Sequence, residues 1–129
     1  MISGLQGAAA EYLRDRYKGE LSEKELTQAI GTTAAVVVDA DPDRLGLLIL
    51  NLSNNTVFVA LENTVSSANG IRLGANGGSV AFNITDDGMI QTRQIYAIAD
   101  GIASTVYVIT LSRFIAERQI ISEEKAAAV

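Results

Sequence analysis

Between Arg44 and Phe114 the apolar positions come in short runs of Val, Ile, Leu and Thr, each closed by a turn signal. Strands are predicted near Ala34–Val38, Leu45–Leu52, Thr56–Leu61, Ile71–Leu73, Ser79–Ile84, Gln94–Ala99 and Thr105–Leu111. Between them stand Asp41-Pro42-Asp43, Ser53-Asn54-Asn55, Asn69-Gly70, Asn76-Gly77-Gly78, Asp87-Gly88 and Asp100-Gly101. Such residues supply the positive φ or the side-chain-to-backbone bonds that tight reversals require. Short strands at this spacing predict a mainly β fold, a small antiparallel β-sandwich or barrel-like domain over residues 32–112.

Before Thr33 the period is different. Ile2, Leu5, Ala8, Ala9, Tyr12, Leu13 and Tyr17 recur at three- and four-residue intervals, which predicts a helix, and Gly19 can take the left-handed conformation that ends one. Ser22 with Glu25 has the spacing of a capping box and Leu21 with Leu26 that of a hydrophobic staple, so a second helix closing at Gly31 is expected. The expectation is an N-terminal helical arm over residues 1–31. It packs either on its own β-domain or on a neighbouring subunit, because a helix this short gains most of its stability from packing.

Several predicted strands are apolar on both faces, as in Leu47-Leu48-Ile49-Leu50, Val57-Phe58-Val59-Ala60-Leu61 and Val106-Tyr107-Val108-Ile109. An antiparallel sheet in a small lone domain normally wets one face. Either the N-terminal helices or identical subunits are expected to cover the second face, and self-association follows from the latter. After the last strand, residues 113–129 form a C-terminal extension whose Phe114, Ile115, Ile120 and Ile121 are apolar, followed by Ser122-Glu123-Glu124-Lys125.

A chain of 129 residues with 48% apolar content fits one domain with a real core. The formal charge of −5, with ten basic residues scattered along the chain, argues against nucleic-acid binding, which needs clustered Lys and Arg. Met1 to Ala10 lacks the basic and apolar regions of a signal peptide, and the run Leu45 to Leu50 is too short to span a bilayer. A soluble chain is expected, with no membrane partner. The absence of cysteine removes disulfides, thiolate nucleophiles and redox switching, and fits folding in a reducing cytosol.

Candidate chemistry is thin. Asp39, Asp41 and Asp43 alternate like the first ligands of an EF-hand, but Arg44 stands where its glycine belongs and Leu50 where its bidentate Glu belongs. A turn between strands, with Pro42 fixing φ, accounts for the triplet better. Gly70, Gly74, Gly77 and Gly78 lack the Gly-Lys-Ser/Thr and following helix of a phosphate loop, and read as hairpin turns. Glu62 with Asp86 or Asp87 could pair for glycoside hydrolysis, yet four Tyr, three Phe and no Trp give few sugar platforms. No histidine exists to activate a serine, and Lys18, Lys24 and Lys125 fall in the terminal segments. The expectation is a non-enzymatic protein with no catalytic residue, metal or cofactor.

The β-segment resembles a small domain that recurs in structural proteins of tailed bacteriophages. The likeness is carried by Arg44-Leu45-Gly46-Leu47-Leu48-Ile49-Leu50-Asn51-Leu52-Ser53, by Val57-Phe58-Val59-Ala60-Leu61, by Val65-Ser66-Ser67-Ala68-Asn69-Gly70-Ile71-Arg72-Leu73 and by Gln94-Ile95-Tyr96-Ala97-Ile98-Ala99. It implies a virion component assembled in the host cytoplasm. Decoration of the capsid, clamping neighbouring copies of the major capsid protein, is the leading role. Connector, collar, tail or fibre-anchoring roles in the same virion are the alternatives, and a carbohydrate- or receptor-binding module stands further off. Such domains often meet around a threefold axis, which makes a homotrimer one expectation. On this reading Leu5, Tyr12 and Leu13 anchor one arm, and Phe114, Ile115, Ile120 and Ile121 the other.

Overall fold

The computed structural model describes residues 7–114. One helix, α1 (Ala8–Tyr17), precedes eight strands: β1 (Glu20–Ile30), β2 (Ala35–Val38), β3 (Arg44–Asn51), β4 (Val57–Ala60), β5 (Ile71–Leu73), β6 (Ser79–Asn83), β7 (Ile95–Ala99) and β8 (Ser104–Phe114). A single helical turn, α2 (Ile84–Asp87), and a 3₁₀ turn (Ile90–Thr92) lie between β6 and β7.

All pairings are antiparallel and they nest. β1 pairs with β8, β2 with β7, β3 with β6 and β4 with β5, as in one long hairpin whose tip is the loop 61–70. Two further pairings, β3 with β8 and β4 with β7, roll that hairpin into two four-stranded sheets of order β1-β8-β3-β6 and β2-β7-β4-β5. This is the jelly-roll form of the β-sandwich. The mainly β architecture expected from the apolar runs is the one observed.

Alternation explains the core. In β3, Leu47 and Ile49 point between the sheets while Leu48 and Leu50 point out, and in β8 Val106 and Val108 point in while Tyr107 and Ile109 point out. Val37, Val57, Val59, Leu73, Ile95 and Ala97 complete the buried layer from the other sheet. The outward Leu48, Leu50, Tyr107 and Ile109 are half-buried, so β3 and β8 carry apolar groups on both faces as expected. Tyr107 also donates its hydroxyl to Glu25 across the β1–β8 pair.

The N-terminal third departs from expectation. The helix expected from Leu21 to Ile30 is instead β1, an eleven-residue strand in register with β8 from Glu20↔Phe114 to Ile30↔Ser104. The physical reason is partnership. As a helix, Leu21, Leu26 and Ile30 make only a broken apolar stripe, whereas beside β8 the segment gains a full ladder of backbone bonds and buries Leu21 and Ile30. The capping-box spacing of Ser22 and Glu25 is overridden. Residues 1–31 are thus not wholly helical, and removing them takes an edge strand out of the sandwich. The left-handed residue that ends α1 is Lys18, φ 59, and not Gly19. Gly19 matters for another reason, since a Cβ there would lie 2.9 Å from the Phe114 carbonyl oxygen.

No helix among the described residues is long and apolar enough to cross a membrane.

Candidate attachment end

The strands divide the loops into two groups. Loops 31–34, 52–56, 74–78 and 100–103 gather at one end of the sandwich, hereafter the Asn51 end. Loops 39–43, 61–70 and 84–94 gather at the other, the Arg44 end, together with α1 and the last residue of β8.

At the Arg44 end the turn 41–43 is built by its own acids. Asp41 Oδ1 accepts from Asp43 N at 3.0 Å, Asp41 O accepts from Arg44 N at 3.1 Å, and Asp41 N donates to Thr92 O at 2.9 Å. The side-chain bond is an Asx turn, which agrees with the turn reading of this triplet. Asp41 Oδ2 also accepts from Ser112 Oγ at 3.1 Å. Among the described residues no group of three or more acidic side chains is arranged to hold a metal ion.

Arg44 closes this end from within. It is 5% exposed, and its guanidinium donates to the carbonyl oxygens of Asp39, Gln91 (3.0 Å) and Arg93 (3.4 Å), which ties the β2–β3 turn to the β6–β7 loop. Burial pulls its pKa below the usual arginine value, and the charges of Asp41 and then Asp39 offset part of that. Gln91 is fully buried and donates from Nε2 to Gly88 O at 2.7 Å, while its Oε1 meets no hydrogen-bond donor among the described residues.

Arg113 fastens α1. Its Nε donates to Asp43 Oδ1 at 3.0 Å, its NH1 to the Tyr17 carbonyl oxygen at 2.6 Å, and its backbone N–H to Asp43 O at 2.9 Å. One side chain on β8 thereby grips the C-terminus of the helix and the β2–β3 turn together. The guanidinium also faces the orphan carbonyls of a helix end, where positive charge is favoured. Arg14 pairs with Glu20 at 3.6 Å and adds a second tie.

Of the expected anchor residues, Tyr12 is 66% exposed and Leu13 half-buried on α1, and Phe114 is half-buried at the end of β8. The structure places all three at the Arg44 end. Leu5, Ile115, Ile120 and Ile121 lie outside the described residues. The residue of α1 that is fully packed is Ala10, at 2% exposed, which the anchor reading omitted. An open groove of about 740 Å³ runs along this end between Ser22, Lys24 and Leu26 of β1 and Val38, Asp39 and Asp41. Lys24, expected in a terminal arm, therefore lies on the sandwich itself.

No protein-family model matches the sequence, and no curated protein matches it. Solved structures give weak likenesses only. A chain of the disulfide-linked pili of Bacillus endospore appendages aligns with 74% of this chain and 88% of its own, at 13% identity and TM-score 0.45. The Dit hub adsorption protein of phage SPP1, which infects Gram-positive hosts, aligns with 74% of this chain at 13% identity and TM-score 0.36. The alignment spans 49% of the phage protein, about half its length. At these scores neither likeness carries an argument about function.

Two features escaped the sequence reading. Arg44 and Arg113 meet partners in distant loops, and nothing local announces a buried arginine. The pairing of Glu20 with Phe114, which sets α1 beside the end of β8, depends on reading β1 as a strand.

Proposed function

We propose that this chain is a non-enzymatic structural subunit of a tailed-bacteriophage virion and acts there as a capsid decoration protein, held on the major capsid protein by its Arg44 end. The observation that supports this most directly is the convergence of α1 with the end of β8. α1 enters and β8 leaves side by side, Glu20 opposite Phe114, and Arg113 clamps the helix there. A rigid sandwich with α1 and the last residues of β8 at one end is suited to seizing a surface while its opposite end faces outward. The sequence resemblance supplies the virion context, and the double-sheet architecture is one that viral capsid domains use. The role needs no cofactor.

Immunogold electron microscopy of purified virions, with antibody against this chain, tests the placement. Even label over the heads is expected. Label confined to the neck, the tail or one vertex overturns decoration in favour of a connector, collar, tail or fibre-anchoring role. A chain lacking residues 1–18 keeps β1 and is expected to stay folded by circular dichroism while losing particle binding. Full occupancy by that truncated chain would exclude α1 as an attachment element.

A further inference from the structure

Of the seven asparagines of the chain two, Asn69 and Asn76, precede glycine, and both are exposed. That dipeptide can rearrange without an enzyme. The glycine backbone nitrogen, once it gives up its proton, attacks the asparagine Cγ and closes a five-membered succinimide. The Cγ–Nδ2 bond breaks and ammonia leaves. Water then opens the ring at either carbonyl, giving aspartate or isoaspartate. Glycine favours the closure because it has no Cβ to crowd the ring and leaves the backbone free to turn. The residues that follow Asn51, Asn54, Asn55, Asn63 and Asn83 all carry side chains that hinder it.

The fold treats the two sites differently. Gly77 N donates to Asn51 O at 2.9 Å and Asn76 N to Ser53 O at 2.8 Å. Asn76 itself is held at φ 58, in the left-handed region. Its nucleophile is spent on the network around the buried Asn51, and freeing it means breaking that bond. At the other site the Gly70 N–H donates to no acceptor among the described residues. The Asn69 carbonyl oxygen accepts from Ser66 N at 3.0 Å, which draws electron density from the 69–70 peptide and makes the Gly70 N–H easier to deprotonate. Asn69 Nδ2, the leaving nitrogen, is turned toward Thr64 and donates to its O at 3.2 Å and its Oγ1 at 3.3 Å. Packing also keeps glycine at this place, since a Cβ on residue 70 would lie 3.0 Å from Val65 Cγ2 and 3.1 Å from Val59 O.

We infer that Asn69 is a site of spontaneous covalent modification, converting through a succinimide to isoaspartate and aspartate while Asn76 is spared. The product carboxylate has no N–H to offer the Thr64 carbonyl, and isoaspartate lengthens the backbone by one carbon within the Ser66–Asn69 bridge. Each conversion adds one negative charge to the loop 61–70, at the Arg44 end. The tip of the long hairpin thus changes with the age of the chain.

The test is to incubate the full-length protein in mildly alkaline buffer, folded and in parallel in urea, and to weigh its peptides by mass spectrometry. In the folded protein the Asn69 peptide is expected to convert at least about tenfold faster than the Asn76 peptide, because the Gly77 bond and the left-handed backbone raise the barrier at Asn76. In urea the two are expected to convert at similar rates, which assigns the difference to the fold. Isoaspartate is the expected main product, read by enzymatic carboxyl methylation. Asn69→Gln, whose extra methylene disfavours ring closure, is expected to lose the new acidic band on isoelectric focusing. Equal rates in the folded protein, a difference of the same size in urea, aspartate without isoaspartate, or an acidic band that survives Asn69→Gln each overturn the inference. No particle is needed for this readout, so it stands apart from the placement of the chain in a virion.

Discussion

The Asn51 end and the Arg44 end terminate the same eight strands by different means. At the Asn51 end the loops are short and one buried amide joins two of them, 52–56 and 74–78. Asn51 Nδ2 donates to Asn55 O at 2.7 Å and to Leu73 O and Gly74 O at 3.1 Å, while its Oδ1 accepts from Ser53 N at 3.0 Å and Ser53 Oγ at 2.7 Å. Every polar atom of that side chain is used. At the Arg44 end the loops are longer, the buried group is a cation shared by three carbonyls, Gln91 Oε1 lacks a donor among the described residues, and an open groove runs beside them. The difference teaches that one end is closed by a saturated polar network while the other keeps longer loops and open surface, the usual contrast between a scaffold and its variable loops.

Substitutions can break or sharpen this contrast. The largest effect is expected at Gly78, where a Cβ would lie 2.2 Å from Gly74 N and 2.7 Å from Leu73 C. Gly78→Ala must shift backbone that also receives Asn51 N–H, and a loss of about 4 kcal/mol or more is expected from urea unfolding. Asn51→Ala removes the amide's bonds to the Leu73, Gly74 and Asn55 carbonyls and leaves the Ser53 N–H without its acceptor, and is expected to cost about 3 kcal/mol by the same measurement. Arg44→Met replaces a buried cation by an apolar stem and lets water from the groove reach the freed carbonyls. It is expected to cost only about 1–2 kcal/mol. Should Arg44→Met prove as damaging as Asn51→Ala, the Arg44 end is as closed as its opposite and the contrast fails. Gly74→Ala is the internal control for the Gly78 turn. The nearest atom to its Cβ is Arg72 NH1 at 4.0 Å, so its midpoint is expected to move by less than about 0.5 kcal/mol.

How far the sequence could be read follows the range of the interactions. All seven strands expected between Ala34 and Leu111 are present with ends shifted by a few residues at most, because alternation and turn chemistry are local. Asp41-Pro42-Asp43 and Asp100-Gly101 mark real reversals for the same reason. β1 was misread because Ser22 and Glu25 carry a local helix signal, and the partner that outweighs it, β8, lies some eighty residues away in the chain. The same range hides the attachment end. Tyr12, Leu13 and Phe114 were chosen as apolar residues outside the β-segment, but their nearness to one another comes from the β1–β8 pair. In the sequence Arg44 stands out as the residue that spoils an EF-hand and as the first of a strand motif, not as a buried tie. Its role as an internal tie depends on the carbonyls of Asp39, Gln91 and Arg93, which no spacing rule connects.

The antiparallel neighbours β1 and β8 also give the molecule a mechanical direction. Force that draws Glu20 and Phe114 apart meets the ladder one rung at a time and peels it like a zipper. Force that pulls both strands together, away from the body of the sandwich, loads β8 in shear against β3, whose bonds must give together. A subunit held through β1 and β8 at this end is therefore strong against being lifted from its support and weak against having the two strands spread.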